Sequence, residues 1–172
     1  MVLTGRYDHV IDEKGRLAIP SQIRNQMNPE TFGSGFYLVQ ETKYLQLIPE
    51  RLFEALANQQ VTGLLPTEED ALASRALYSL STRLDLDKQG RVMIPDGLMA
   101  DSEHPDPLAQ KTIKREVTLV GNRDRIEIWN RDEYIKEMQA VLTLKDVFKK
   151  TMHAKFGTAP NTGITFPPAT SN

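Results

Sequence analysis

Four residues carry the first chemical signal: Asp12, Arg16, Asp87 and Arg91. Each arginine follows its aspartate by four positions, with a glycine, Gly15 or Gly90, directly before it. An aspartate that opens a tight turn accepts backbone N–H bonds, and a glycine that closes it tolerates a positive φ. The carboxylate can then pair with the arginine across the turn, fix the guanidinium fork and leave other donors for an anion. The planar, paired donors of arginine suit phosphate oxygens and the O6/N7 edge of guanine. Lys14 and Lys88 place a second cation beside each arginine, and Arg24 follows the first motif. A plain turn with a surface ion pair accounts for the aspartates and glycines equally well. It does not require arginine at the same place twice.

These residues sit inside a longer repeat. Residues 11–20 read I-D-x-x-G-R-L-x-I-P and residues 86–95 read L-D-x-x-G-R-V-x-I-P, 75 positions later. Period-2 alternation puts Leu17 and Ile19 on one strand face with Arg16 and Ala18 on the other. Val92 and Ile94 stand in the same way against Arg91 and Met93. Pro20 and Pro95 end the ladder and suit a first helical turn, followed in the first copy by Ile23 and Met27 at i, i+4 and in the second by Leu98. A hairpin comes next in each copy, over 36–48 and 117–129, with Leu38-Val39 falling on Leu119-Val120 at an offset of 81. The six extra residues of the second copy fall around Asp101 to Pro107, an acidic, proline-containing loop. Helical stripes follow, Leu52, Phe53 and Leu56 in one copy and Tyr134, Ile135, Met138 and Leu142 in the other.

Each copy therefore reads as strand, turn, strand, short helix, hairpin, helix. A unit of about 50 residues buries too little surface to stand alone, so the two copies are expected to share one core with pseudo-two-fold symmetry. The expected boundaries are repeats over 6–51 and 81–130, a connecting helix over 66–80, a C-terminal helical segment over 131–156 and a disordered tail over 157–172. Thr67 before Glu68-Glu69-Asp70 suits the start of the connecting helix, whose Leu72, Ala76, Leu77 and Leu80 recur at helical spacing. The stretch Leu144 to Phe156 has a basic amphipathic pattern that suits a solvated or subunit-packing helix.

Composition narrows the chemistry. The 172 residues are 40% hydrophobic and 26% charged, normal for a folded chain. The net charge of −2, from 21 basic and 23 acidic side chains, excludes a uniformly basic nucleic-acid binder and leaves local clustering as the route to an anion site. The absence of cysteine removes disulfides, a thiolate nucleophile and sulfur-ligated zinc. No membrane span or secretory leader is expected. His9, His104 and His153 lack metal-ligand spacing. Gly33-Ser34-Gly35 lacks the nucleophile elbow, resembles a Gly-Ser self-cleavage site only as a dipeptide, and reads as a flexible loop. Trp129 reads as a core or interface residue. No cofactor, metal, catalytic residue or small-molecule substrate is assigned.

The segments from Gly5 through residues 11–20 to Arg24, and from Val117 to Trp129, resemble the MraZ family of bacterial transcriptional regulators, within the SpoVT/AbrB-like swapped-hairpin superfamily. Its mark is a duplicated D-x-x-x-R motif, and the likeness runs from Gly5 to Leu142. The resemblance implies an α+β, mainly β fold: a double-psi, AbrB-like β-barrel made from two internal repeats, with short helices and a C-terminal helix. It implies a non-enzymatic, ring-shaped homo-oligomer in the cytoplasm and nucleoid. Its partner would be double-stranded DNA with repeated elements, usually upstream of the division and cell-wall gene cluster that contains the regulator's own gene. Arg16 and Arg91 take the DNA-contacting places, with Lys14, Lys88 and Arg24 beside them. Asp12 and Asp87 take the orienting places and Gly15 and Gly90 the turn places. An antitoxin-type protein-interaction module is the alternative within the superfamily. Met99 stands where many relatives have a basic residue comparable to Arg24. With the acidic Asp101, Glu103 and Asp106, it predicts a weaker DNA surface on the second half.

Overall fold

Short strands build the molecule, and each repeat supplies four. The first has β1 (Arg6–Val10), β2 (Arg16–Ala18), β3 (Gly35–Gln40) and β4 (Leu45–Pro49). The second has β5 (Ser81–Asp85), β6 (Arg91–Met93), β7 (Glu116–Asn122) and β8 (Arg125–Asn130). Helices α1 (Ser21–Arg24) and α2 (Pro29–Phe32) follow β2, α3 (Glu50–Gln59) follows β4, α4 (Glu68–Ser79) precedes β5, and α5 (Arg131–Thr143) follows β8. A 3-10 turn, Asp96–Leu98, takes the place of α1 in the second repeat. The computed structural model describes residues 2–59, 66–110 and 112–143. The expected basic segment 144–156, with His153, and the tail 157–172 lie outside the described residues.

The fold is α+β with mainly antiparallel sheet. Six strands pair in the order β1-β7-β8-β4-β3-β5, and β2 pairs with β6 in a separate two-stranded ribbon. The first hairpin of each repeat is thus exchanged onto the other repeat. Strand β1 pairs with β7 of the second repeat, and β5 with β3 of the first. The registers are equivalent: Arg6 faces Val120, and its counterpart Ser81 faces Val39. The pseudo-two-fold axis passes between Leu17 and Val92 in the ribbon, and between Gln46 and Glu127 where β4 meets β8.

Apolar burial follows the same axis. Leu17, Val92, Ile19 and Ile94 from the ribbon join Leu38, Leu47, Leu119, Ile126 and Ile128 from the large sheet in one core cluster. Trp129 is buried, stacked on Tyr44 with ring centroids 4.5 Å apart. A smaller cluster of Val39, Ile48 and Phe53 packs with Tyr37, Leu52 and Leu77 under α3 and α4.

Polar contacts around the axis invert between the repeats. Glu50 at the start of α3 pairs with Arg83 on β5 at 2.6 Å. At the equivalent place, Arg131 at the start of α5 approaches Asp8 on β1 at 4.0 Å. The acid and base have changed sides.

Helix α4 is capped by Thr67, whose hydroxyl accepts the Asp70 N–H, the capping that its position before Glu68-Glu69-Asp70 predicts. Its apolar stripe is only partly used. Leu77 packs inward, while Leu72 is 61% exposed and Ala76 faces solvent. The chain divides into two compact units, Met1–Tyr134 and Ile135–Asn172. In the second, the described residues 135–143 continue α5, with Ile135 and Leu142 exposed. No described helix is long and apolar enough to cross a membrane.

Leu17 is fully buried at the axis, so truncating it opens a cavity that both repeats line. Leu17→Ala should lower unfolding stability by about 2–5 kcal/mol. The half-exposed Leu56→Ala should change it by no more than about 0.5 kcal/mol. Urea denaturation followed by circular dichroism measures both, with an unchanged slope expected.

Candidate nucleic-acid interface

The two motif turns are built alike, bond for bond. In the first, Asp12 N–H donates to the Arg16 carbonyl at 3.0 Å and Gly15 N–H to the Asp12 carbonyl at 2.9 Å. In the second, Asp87 and Arg91, then Gly90 and Asp87, repeat these bonds at 2.8 Å each. The three-residue loop brings its last residue into the left-handed region, where Gly15 has φ 75° and Gly90 φ 76°. A side chain there is strained, so glycine is favoured at both places.

Each aspartate spends one oxygen on backbone and the other on arginine. Asp12 Oδ1 accepts the N–H groups of Lys14 and Arg16, both at 2.9 Å. Asp12 Oδ2 receives Arg16 Nε and Nη2, both at 2.6 Å. Asp87 does the same, with Oδ1 accepting Gln89 and Arg91 N–H at 2.8 and 2.9 Å and Oδ2 holding Arg91 Nε and Nη2 at 2.8 and 2.7 Å. Backbone and side-chain bonds from the arginine, with the backbone bond first, hold each carboxyl below its ordinary value of 3.8. Among the described residues, no acceptor meets Nη1 of either arginine.

The ribbon then aims the arginines. Arg16 pairs with Met93 and Arg91 with Ala18, so all four side chains share one face. Leu17 and Val92 fill the opposite face, 0% and 1% exposed. The arginine side chains are 32% and 25% exposed, and Met93 is 53% exposed. The outer face of β2–β6 thus presents two oriented guanidinium groups at diagonal register positions, with Met93 and Ala18 at the other two. Lys14 and Lys88 are exposed at the turn tips.

The repeats close on each other at these turns. The Gly90 carbonyl accepts Ile19 N–H at 3.0 Å, and the Gly15 carbonyl accepts Ile94 N–H at 2.8 Å. Arg24 donates from Nε to the Ile19 carbonyl at 3.0 Å, and its guanidinium lies on the second turn, 2.5 Å from where a Gly90 Cβ would stand. Arg24 therefore belongs spatially to the opposite repeat's loop. Its counterpart Met99 is buried in the core.

Sequence reasoning missed Arg115. Its Nη1 donates to the Asp12 carbonyl at 2.6 Å, and its Nε to Asp101 at 2.7 Å. No spacing rule connects residues 103 positions apart, and the arginine lies outside the repeated motif. The acidic insert also reads differently in three dimensions. Asp101 is tied to Arg115, Asp96 to the Ser102 hydroxyl and Asp106 to the Leu108 N–H. His9 lies on β1 and is held below its ordinary value mainly by burial, while His104 is exposed. Ser34 donates N–H and hydroxyl to Glu50, which fastens the Gly33-Ser34 segment to α3.

Exchanged hairpins and a matched pair of carboxylate-held arginines define a duplicated α+β protein with two cationic turns. A family model described as "MraZ protein, putative antitoxin-like" matches residues 77–152. The transcriptional regulator MraZ of Roseiflexus sp. (strain RS-1) is 33% identical over 126 residues, covering 73% of this chain and 78% of the relative. Those of Limosilactobacillus reuteri and Pediococcus pentosaceus are 34% and 30% identical, over 78% of this chain and 86% and 87% of theirs. The chain belongs to the MraZ family.

The clamp makes a pH prediction. Both aspartates have folded-state values below the unfolded value near 3.8, so the clamps add stability above that pH and lose it as pH falls through the lowered folded values. Carboxyl-carbon NMR titration should find both midpoints below 3.8. In Arg16→Ala, the Asp12 midpoint should rise yet stay depressed, because the Arg16 and Lys14 N–H bonds survive. An Asp12 midpoint at its ordinary value in the wild-type chain contradicts the clamp.

Proposed function

We propose that this chain is a sequence-specific regulator of transcription that binds double-stranded DNA through Arg16 and Arg91. Lys14, Lys88 and Arg24 add cationic contacts, and Asp12 and Asp87 orient the arginines. The observation that carries the reading is the shared outer face of the β2–β6 ribbon, where both guanidinium groups are held in fixed geometry and each keeps Nη1 free among the described residues. A pre-organised guanidinium loses less freedom when it meets a phosphate or a guanine edge. The relatives' name, transcriptional regulator, supports the same reading.

Two arginines per chain give few contacts, so the functional form is a ring-shaped homo-oligomer that repeats this face along repeated DNA elements. An apolar groove of about 410 Å³ between α3 and α4, lined by Phe53, Leu56, Leu77 and Tyr78, supports subunit packing. In this reading the repeats span 6–51 and 81–130, joined by a helix over 66–80, and the sheet and ribbon form a double-psi barrel. The C-terminal segment runs over 131–156 and the tail over 157–172. The regulator works at the nucleoid, upstream of the division and cell-wall cluster that contains its own gene. The same groove and the family model's description support a second reading, an antitoxin-type protein-interaction module.

Arg16→Ala and Arg91→Ala should each stay folded, with a melting temperature lowered by at most about 2–4 °C, and weaken DNA binding by about 1–3 kcal/mol. Fluorescence anisotropy with a duplex selected by the wild-type protein from random DNA measures this. Affinity should fall with salt at a log–log slope of about −0.9 per phosphate contacted. Unchanged binding by both single variants rejects the assignment. A tight protein partner with no DNA retention favours the interaction module.

A further inference from the structure

The two turns are alike in themselves and differently supported from outside. On the first, the Asp12 carbonyl receives two donors, Gly15 N–H at 2.9 Å and Arg115 Nη1 at 2.6 Å. The backbone of Arg115 holds the same place, since its carbonyl accepts Ile11 N–H at 2.8 Å. Arg115 is in turn fixed by Asp101, 2.7 Å from its Nε. Asp101 is anchored next to Ala100, whose N–H donates to the Ile113 carbonyl at 2.8 Å.

On the second turn, the Asp87 carbonyl receives Gly90 N–H, and no side chain among the described residues joins it. The counterpart of Arg115 in the first repeat is Ser34, which is turned to Glu50. The second turn is instead covered by Arg24 lying on Gly90. Each turn is propped by an arginine of the opposite repeat, and the two props come from non-equivalent positions.

We propose that Arg115 is a positioning residue for the first DNA-binding turn, held in place by Asp101 of the acidic insert. The insert thereby sets the geometry of the opposite repeat's loop, and the two loops of one chain are not interchangeable readers. This rests on the DNA-binding reading above. Arg115 acts through Asp12: it fixes the carbonyl of the residue whose carboxylate orients Arg16. Its own charge is engaged by Asp101, so it is not counted among the phosphate contacts.

The test uses the full-length chain carrying Asp101→Asn, Arg115→Met or Arg115→Lys, and the duplex selected by the wild-type protein. Asp101 is 52% exposed, so Asp101→Asn leaves the core intact and serves where Arg115→Met loses stability. Asp101→Asn and Arg115→Met should each weaken binding about fivefold, the scale of one lost hydrogen bond, with an unchanged salt slope. Arg115→Lys should restore part of the affinity. Amide exchange should quicken at Lys14 and Arg16 and stay unchanged at Gln89 and Arg91, a turn-specific pattern that general destabilisation does not give. The positioning role is overturned if Asp101→Asn binds like wild type while Arg115→Met lowers the salt slope by about 1, the mark of a direct phosphate contact. Equal exchange at both turns also overturns it. Arg16→Ala and Arg91→Ala run alongside: wild-type binding by both variants removes the DNA-binding reading itself, while the exchange data still judge the brace.

Discussion

One carboxylate per repeat does two jobs with its two oxygens, and the rest of the site depends on that division. Oδ1 gathers two N–H groups of the turn, which settles where the backbone goes. Oδ2 receives Nε and Nη2 of arginine, which settles where the side chain goes. An exposed ion pair by itself is worth little, about 0–1 kcal/mol. Its value here is geometric, because the guanidinium is presented with one edge occupied and the other open. Lysine in place of arginine would keep the charge and lose that division, since an ammonium has no fixed fork.

The turns cannot be presented by one repeat. Strands β2 and β6 have three residues each, and a lone strand of that length has no partner for its backbone. Each finds it in the other repeat, and the glycine carbonyl of each turn is satisfied by an isoleucine N–H across the axis. Each turn is built within its own repeat, and the ribbon that sets the two side by side also joins the repeats. The buried polar pair at the other end of the axis is also fully engaged. Gln46 receives Arg125 and donates to Glu41, while Glu127 receives Asn122 and Trp129.

Much of this was legible in the sequence because it is local or periodic. The D-x-x-G-R spacing, the turn glycines and the alternation that sends Leu17 inward and Arg16 outward need no information beyond ten residues. The duplication and its offsets also foretold the equivalence of the two halves. What was not legible depends on the exchange of hairpins. Arg24 was placed beside its own loop by sequence and lies on the opposite one, because β2 pairs with β6. Arg115 had no signal, since its partner carbonyl is distant in the chain. The insert's acids read as a repulsive surface, yet Asp101 is a partner for that arginine. The stripe on α4 pointed to packing, while Leu72 is exposed. Periodicity reports an amphipathic helix and does not report what covers it.

The inverted polar pairs favour pairing of unlike halves over pairing of like ones. Two first repeats joined in the same geometry would set Asp8 against Glu50 at both edges, and two second repeats would set Arg83 against Arg131. These edge contacts are partly exposed, and like charges there disfavour each pairing only modestly. The axis is less forgiving. Gln46 and Glu127 face each other there, 7% and 9% exposed. A second repeat paired with itself would bring two buried carboxylates together, at a cost of several kcal/mol unless one is protonated. A first repeat paired with itself would meet Gln46 across Gln46, which hydrogen bonding can satisfy. Discrimination is therefore strong against one like pairing and modest against the other, and the covalent link between the repeats has only the second to overcome.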